Sequence, residues 1–152
     1  MNKRFETFTV LIAKIHRNIK RIKNQEMAEY GLRSTHVSCL YYLYTTQCVT
    51  ATDLCEKCEE DKATISRSLD LLEKNGYLTY EPRQNKRYKA PLLLTPKGRE
   101  VAGKIADKVN AVLDEISLEM TEEERVALYQ SLATVSEGLE VICRRLDEKE
   151  QG

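Results

Sequence analysis

What is scarce in this 152-residue chain narrows its reading first: it has no tryptophan, two histidines, two phenylalanines, three prolines and six glycines. So little proline, with charged residues at 32% and hydrophobic ones at 41%, suits a helical protein. The two histidines, His16 and His36, and the lack of a glycine-rich phosphate loop leave most enzyme classes without their parts. His36 lies near Ser34 and Ser38 but lacks the third partner that a nucleophilic serine needs. No apolar run approaches the roughly 18–20 residues of a membrane span. Residues 1–24 hold seven Lys/Arg but no compact apolar core with a small-residue cleavage site, so no secretion signal is read there. The expectation is a non-catalytic cytoplasmic protein.

The five cysteines, Cys39, Cys48, Cys55, Cys58 and Cys143, are an odd number in a chain long enough for an ordinary core. Reduced thiols are therefore expected rather than a disulfide scaffold. Cys55-x-x-Cys58 sets two thiols on one helical face, half of a zinc site, but no second Cys/His pair stands at ligand spacing. No metal and no cofactor are expected.

The charge balance, 24 Lys+Arg against 24 Asp+Glu, conceals a strong partition. Residues 1–33 carry +5, residues 34–61 carry −4, residues 62–99 carry +6 and residues 100–152 carry −7. A neutral protein with such a basic block can still bind a polyanion, because affinity follows the local face. A solvated charged face would look the same in isolation.

Apolar periodicity predicts six helices and one hairpin. Phe5, Phe8, Ile12, Ile15, Ile19 and Ile22 step by threes and fours along a helix over 4–24, opposite Lys14, Arg17, Lys20, Arg21 and Lys23. Tyr30-Gly31 breaks it, and Ser34 or Thr35 can cap a second helix running to about Thr46. Thr50–Asp53 resembles a capping box for a short helix over 51–59. Glu60 or Asp61 can cap a fourth over 62–75, with Ile65, Leu69 and Leu72 inward and Gly76 at its end. Tyr77–Tyr80 and Tyr88–Leu94 read as two strands around the polar turn Pro82–Arg87, with Pro91 marking an edge or a bulge. Thr95-Pro96 opens a fifth helix, whose apolar positions are Val101, Ile105, Val109, Val112 and Ile116. Thr121–Glu124 is a capping box for a sixth over 122–148, which carries Val126, Leu132, Leu139, Ile142 and Leu146.

Helices two to four with the hairpin make a winged helix-turn-helix, whose later helix enters a major groove N-terminus first. The fourth helix offers Lys62, Ala63, Thr64, Ser66 and Arg67 there. Lys62 and Arg67 can reach phosphate or guanine, Thr64 and Ser66 can donate, and Ala63 leaves room for a thymine methyl. The hairpin tip, Arg83-Gln-Asn-Lys-Arg87, places three cations in five residues, suiting a wing on phosphates or in a minor groove.

Thr50–Leu54, Asp61–Gly76 and Leu94-Thr95-Pro96-Lys97-Gly98 resemble the MarR family of bacterial transcription regulators, and the order and lengths of all six helices match as well. The resemblance implies a mainly α fold with a small β-hairpin wing. Its winged helix-turn-helix lobe would span residues 34–95, and a helical dimerisation arm residues 1–33 and 96–152. By position, Thr64, Ser66 and Arg67 fall on that family's recognition helix. Asn85-Lys86-Arg87 falls on its Asp-x-Arg wing signature, with Asn85 in place of the Asp and one extra residue before Thr95. Wing contacts are expected from Arg83, Asn85, Lys86 and Arg87, and dimerisation from Phe5, Phe8, Ile12, Ile15, Ile19, Leu139, Ile142 and Leu146. A homodimer presents two recognition helices to successive major grooves, hence a pseudo-palindromic site on double-stranded DNA.

The resemblance also implies repression relieved by a small effector, with Tyr30, His36 and Tyr41 as candidates for an aromatic or phenolic ligand. By the same resemblance Cys55 and Cys58 occupy small, buried core positions. Two alternatives stay open: a thiol-sensing regulator using the Cys55/Cys58 pair or singly Cys39, Cys48 or Cys143, and a winged helix that docks on an acidic protein instead of reading DNA.

Overall fold

The computed structural model describes residues 3–46, 50–81 and 90–152. Its elements run α1 (Arg4–Glu26), a single 3-10 turn (Ala28–Tyr30), α2 (Ser34–Thr45), α3 (Ala51–Cys58), α4 (Lys62–Lys74), β1 (Leu78–Tyr80), β2 (Leu92–Leu94), α5 (Pro96–Ser117) and α6 (Glu122–Glu150). The expected mainly α architecture with a two-stranded antiparallel hairpin is what forms. The wing residues Arg83, Asn85, Lys86 and Arg87, together with Cys48 and the side chain of Phe5, lie outside the described residues. No described helix is long and apolar enough to cross a membrane.

Two compact units divide the chain, one ending at Lys108 and the other starting at Val109. The first is built around Leu40 of α2, Leu54 of α3, Ile65, Leu69 and Leu72 of α4, Leu78 of β1 and Ile105 of α5, all essentially without solvent contact. Met27 and Leu32, on either side of the 3-10 turn, join the same core. The turn leaves through Gly31 at φ +68°, a conformation glycine adopts without steric cost. The hairpin pairs Leu78 with Leu94, Thr79 with Leu93 and Tyr80 with Leu92. Pro91 sits just before β2 and contributes only its carbonyl, which accepts the Glu81 N–H at 2.8 Å.

The caps show where helix boundaries are encoded locally. Thr50 and Asp53 form the expected reciprocal box on α3, at 3.2 and 3.0 Å. Thr121 and Glu124 do the same on α6 in the second unit, at 3.2 and 2.8 Å. Helix α2 departs from expectation. Neither Ser34 nor Thr35 caps it; Arg33 is the cap residue, and its N–H donates to His36 Nδ1 at 3.0 Å. The Ser34 N–H donates instead to Asn24 Oδ1 of α1 at 2.7 Å, so a residue ten positions away satisfies a free helical donor.

The expectation that Cys55 and Cys58 fill the core is also corrected. Both are partly exposed on α3, and the thiol in the core is Cys39 of α2. Helix α3 turns its inner face through Leu54, which leaves the two cysteines at its margin.

Helix α5 is clasped to the end of α4. The Thr95 hydroxyl donates to the Gly76 carbonyl at 2.6 Å and accepts the Gly98 N–H at 3.0 Å, while Lys97 Nζ donates to the Asn75 carbonyl at 2.7 Å. The close approach needs a glycine: a Cβ on Gly98 would lie 1.8 Å from the Tyr77 carbonyl oxygen. Alanine gains about 1 kcal/mol over glycine from helix propensity. A backbone overlap of this depth outweighs that gain, because neither partner is a flexible side-chain end. Gly98→Ala is expected to lower the free energy of unfolding by about 1–3 kcal/mol, measured by denaturant titration; an unchanged midpoint would contradict this packing.

Candidate nucleic-acid interface

Helix α4 presents its chemistry because its two sides differ so sharply. Ile65, Ser68, Leu69 and Leu72 are buried against the lobe. Ala63 and Arg67 are exposed on the opposite side, Ser66 is exposed on the flank, Lys62 is exposed at the first position of the helix, and Thr64 lies at the margin. The structure therefore brings the five recognition-helix candidates onto the first two turns of one helix.

Asp61 organises that end. Its Oδ1 accepts the Thr64 N–H at 2.6 Å and caps the helix. The Thr64 backbone and hydroxyl hydrogen bonds, with the Arg67 charge nearby, hold the Asp61 carboxyl below the usual carboxylate range. Arg67 Nη2 in turn donates to Thr64 Oγ1 at 3.3 Å. Asp61, Thr64 and Arg67 thus form a relay that sets the guanidinium over the N-terminal turns of α4. The pre-set fork retains donors for a base edge or a phosphate.

The connection from α3 is tight. Glu59 adopts the left-handed conformation (φ +53°), the one non-glycine among the described residues to do so, and the Glu60 N–H returns to the Cys55 carbonyl at 3.3 Å. Glu59, Glu60 and Asp61 are all exposed. Three carboxylates therefore adjoin the cationic start of α4.

The three effector candidates have separate partners. Tyr30 takes a hydrogen bond from Lys104 Nζ at 3.4 Å, and that ammonium lies 5.9 Å from its ring centroid. Tyr41 makes an edge-on contact with Tyr42, their centroids 5.3 Å apart. His36 serves the backbone as an acceptor at the start of α2. The dimerisation candidates on α1 (Phe8, Ile12, Ile15 and Ile19) and on α6 (Leu139, Ile142 and Leu146) are exposed in the single chain. Among the described residues no group of three His, Cys, Asp or Glu side chains could hold a metal ion.

Asn24 and Asp61 shape the lobe's working end more than their sequence positions suggest. Asp61 carries the local signal of a cap residue three before a free helical N–H. Asn24 carries none, since its partner is reached only through packing of α1 on α2.

These features define a winged helix-turn-helix protein. Residues 30–87 match the model of the MarR family. The HTH-type transcriptional regulator BilQ of Clostridioides difficile (strain CD3) is 25% identical over 136 residues, spanning 90% of this chain and 92% of that protein. Among solved structures, NMB1585, a MarR family regulator from Neisseria meningitidis, has a TM-score of 0.80 at 20% identity, covering 95% of this chain and 99% of its own. The S. aureus MepR–DNA complex has a TM-score of 0.76 at 18% identity, covering 87% of this chain and 97% of its own.

His36 makes the α2 cap sensitive to pH. Burial, and secondarily the Arg33 charge, lower its pKa, and only the neutral ring can accept the Arg33 N–H. A group whose folded pKa is depressed below the unfolded value of about 6.5 contributes stability above that pH and loses it as pH falls through the folded value. The melting temperature should therefore decline from pH 7 towards pH 5. His36→Gln, which keeps an acceptor that does not titrate, should flatten that part of the profile; identical slopes in thermal melts would rule out this cap as the cause.

Proposed function

We propose that this chain is a transcription regulator that binds double-stranded DNA as a homodimer, with α4 in the major groove. The observation that carries the reading is the exposed Lys62, Ala63, Ser66 and Arg67 surface, held by the Asp61–Thr64 cap on a helix whose other side is locked in the core. Small residues beside two cations suit a groove floor: Ala63 and Ser66 permit close approach, and Arg67 supplies a fork for guanine. The exposed apolar seams of α1 and α6 support pairing of two copies, which would present two α4 helices to one pseudo-palindromic site. Arg83, Asn85, Lys86 and Arg87 would add the wing contacts. We read the protein as a repressor. The Tyr30 ring with the Lys104 ammonium beside it offers an aromatic surface and a cation, a pairing suited to an aromatic acid as effector.

Selection of bound duplexes from fragmented genomic DNA of the source, followed by titration against salt, tests the DNA reading. Enrichment of a two-fold site with a steep salt dependence is expected. On that site Arg67→Ala should cost about 1–3 kcal/mol if the guanidinium reads a base. Lys62→Ala should weaken all duplexes alike and reduce the salt slope by about one. Arg67→Ala binding as tightly as the parent would refute base reading, and uniform weak binding that vanishes at physiological salt would favour docking on an acidic protein.

The pairing has its own check. An Ile15→Glu substitution places a charge in the α1 seam, and sedimentation equilibrium should then report one chain where the parent reports two. A parent that sediments as one chain at micromolar concentration would exclude the dimer.

A further inference from the structure

The start of α4 carries an acceptor and a donor held in a fixed order. Arg67 Nη2 donates to Thr64 Oγ1 at 3.3 Å, and the Thr64 N–H donates to Asp61 Oδ1 at 2.6 Å. Asp61 and Arg67 are exposed, while Thr64 between them is half-buried. Its spacing offers Thr64 as a donor to bases, yet its hydroxyl oxygen receives the guanidinium instead. We propose that Asp61 and Arg67 together select the bases of each half-site: Arg67 reads a guanine, Asp61 accepts the N4 amino group of a cytosine within one base step of it, and Thr64 is the positioning residue between them. This rests on the DNA-binding reading and adds to it the base chemistry of the target.

The two side chains answer opposite parts of the base code. The major-groove edge of guanine shows two acceptors, O6 and N7, which a guanidinium fork matches. Thr64 holds one nitrogen of that fork and leaves its far edge to donate. An ionised carboxylate only accepts. The acceptors of guanine and the O4 of thymine repel it, and adenine sets its N7 acceptor beside the N6 amino group. Cytosine offers an amino group with no acceptor next to it on that edge. The Thr64 hydrogen bonds, followed by the Arg67 charge, hold the Asp61 carboxyl below the usual carboxylate range, so it stays an acceptor at neutral pH. Capping does not exhaust it: a carboxylate has about four lone-pair sites, and the Thr64 N–H takes one.

A phosphate is the competing target for this end of the helix, and the residues present oppose it. Helix N-termini hold phosphates through free N–H groups and partial positive charge. Here Asp61 has taken the Thr64 N–H, and the exposed Glu59 and Glu60 stand just before it. Carboxylates repel a phosphate oxygen, whereas a cytosine amino group brings the hydrogen that a carboxylate lacks. Ala63, exposed two residues after Asp61, is small enough to let this end approach the groove floor.

The test mixes the full-length protein with a duplex library randomised over about 20 base pairs, roughly two helical turns, and sequences the bound fraction. The expected result is a two-fold site in which each half holds a guanine and a cytosine no more than one step apart. Replacing that guanine by 7-deazaguanine removes N7 and should weaken the parent about three- to tenfold, leaving Arg67→Ala unchanged. Asp61→Asn keeps a capping side chain but supplies the acceptor and donor that match adenine, so the preferred base should switch from cytosine to adenine. Asp61→Ser also caps and should lose the preference. Thr64→Val keeps size and branching without the hydroxyl; it should reduce the guanine preference about threefold at an unchanged melting temperature, and Thr64→Ser should restore it. A two-fold site lacking that guanine and cytosine, equal losses on 7-deazaguanine in the parent and Arg67→Ala, or an intact cytosine preference in Asp61→Ser would overturn the base assignment and leave the DNA reading standing. An unchanged guanine preference in Thr64→Val would overturn the positioning role. A library from which no duplex is enriched would overturn the DNA reading itself, and this assignment with it.

Discussion

The burial of Ile65, Leu69 and Leu72 is the constraint on which the working surface depends. Each loses essentially all contact with water, and full burial of such a side chain contributes about 1.5–3 kcal/mol. Together they set the rotation of α4 about its own axis. A helix advances 100° per residue, so fixing these three positions inward turns Ala63 and Arg67 outward and Ser66 to the flank, while Lys62 is exposed as the first residue of the helix. The cap at Asp61 then fixes where the helix begins, and the clasp from Thr95, Lys97 and Gly98 fixes where the chain leaves it.

How much of this could be read beforehand depended on the distance over which each cause acts. The caps on α3, α4 and α6 were legible because Thr50 with Asp53, Asp61 with Thr64, and Thr121 with Glu124 each lie within three residues of one another. The rotation of α4 was legible for the same reason, since its apolar spacing repeats within two turns. Helix α2 was misread at its start: the donor that Ser34 leaves free is satisfied by Asn24, and no spacing rule links residues ten apart on different helices. The first strand starts one residue later than expected, because Tyr77 is buried and its N–H donates to the Leu72 carbonyl at the end of α4.

The cysteines show the same limit more sharply. Cys55-x-x-Cys58 drew notice as a pair because the two are close in sequence, yet the buried thiol among the described residues is Cys39 of α2. Which of several thiols is buried depends on how α3 is rotated by Leu54, and an eight-residue helix is too short for its periodicity to settle that. Lys23 was read as part of a basic helix face and is instead half-buried beside Ser38. Its long stem allows this, carrying the charge across apolar surface to a polar partner.

The turn between α3 and α4 carries a consequence of its own. Glu59, Glu60 and Asp61 stand exposed immediately before Lys62, so a sign change in surface charge occurs within a few residues of one another. At physiological salt such a boundary is felt only within about 8 Å. A polyanion farther away meets an almost neutral molecule, whereas one at contact distance is attracted on the α4 side and repelled at the turn. The turn thereby works as an orientation filter: it adds little to the strength of association but penalises approaches in which the helix meets its target from the wrong end.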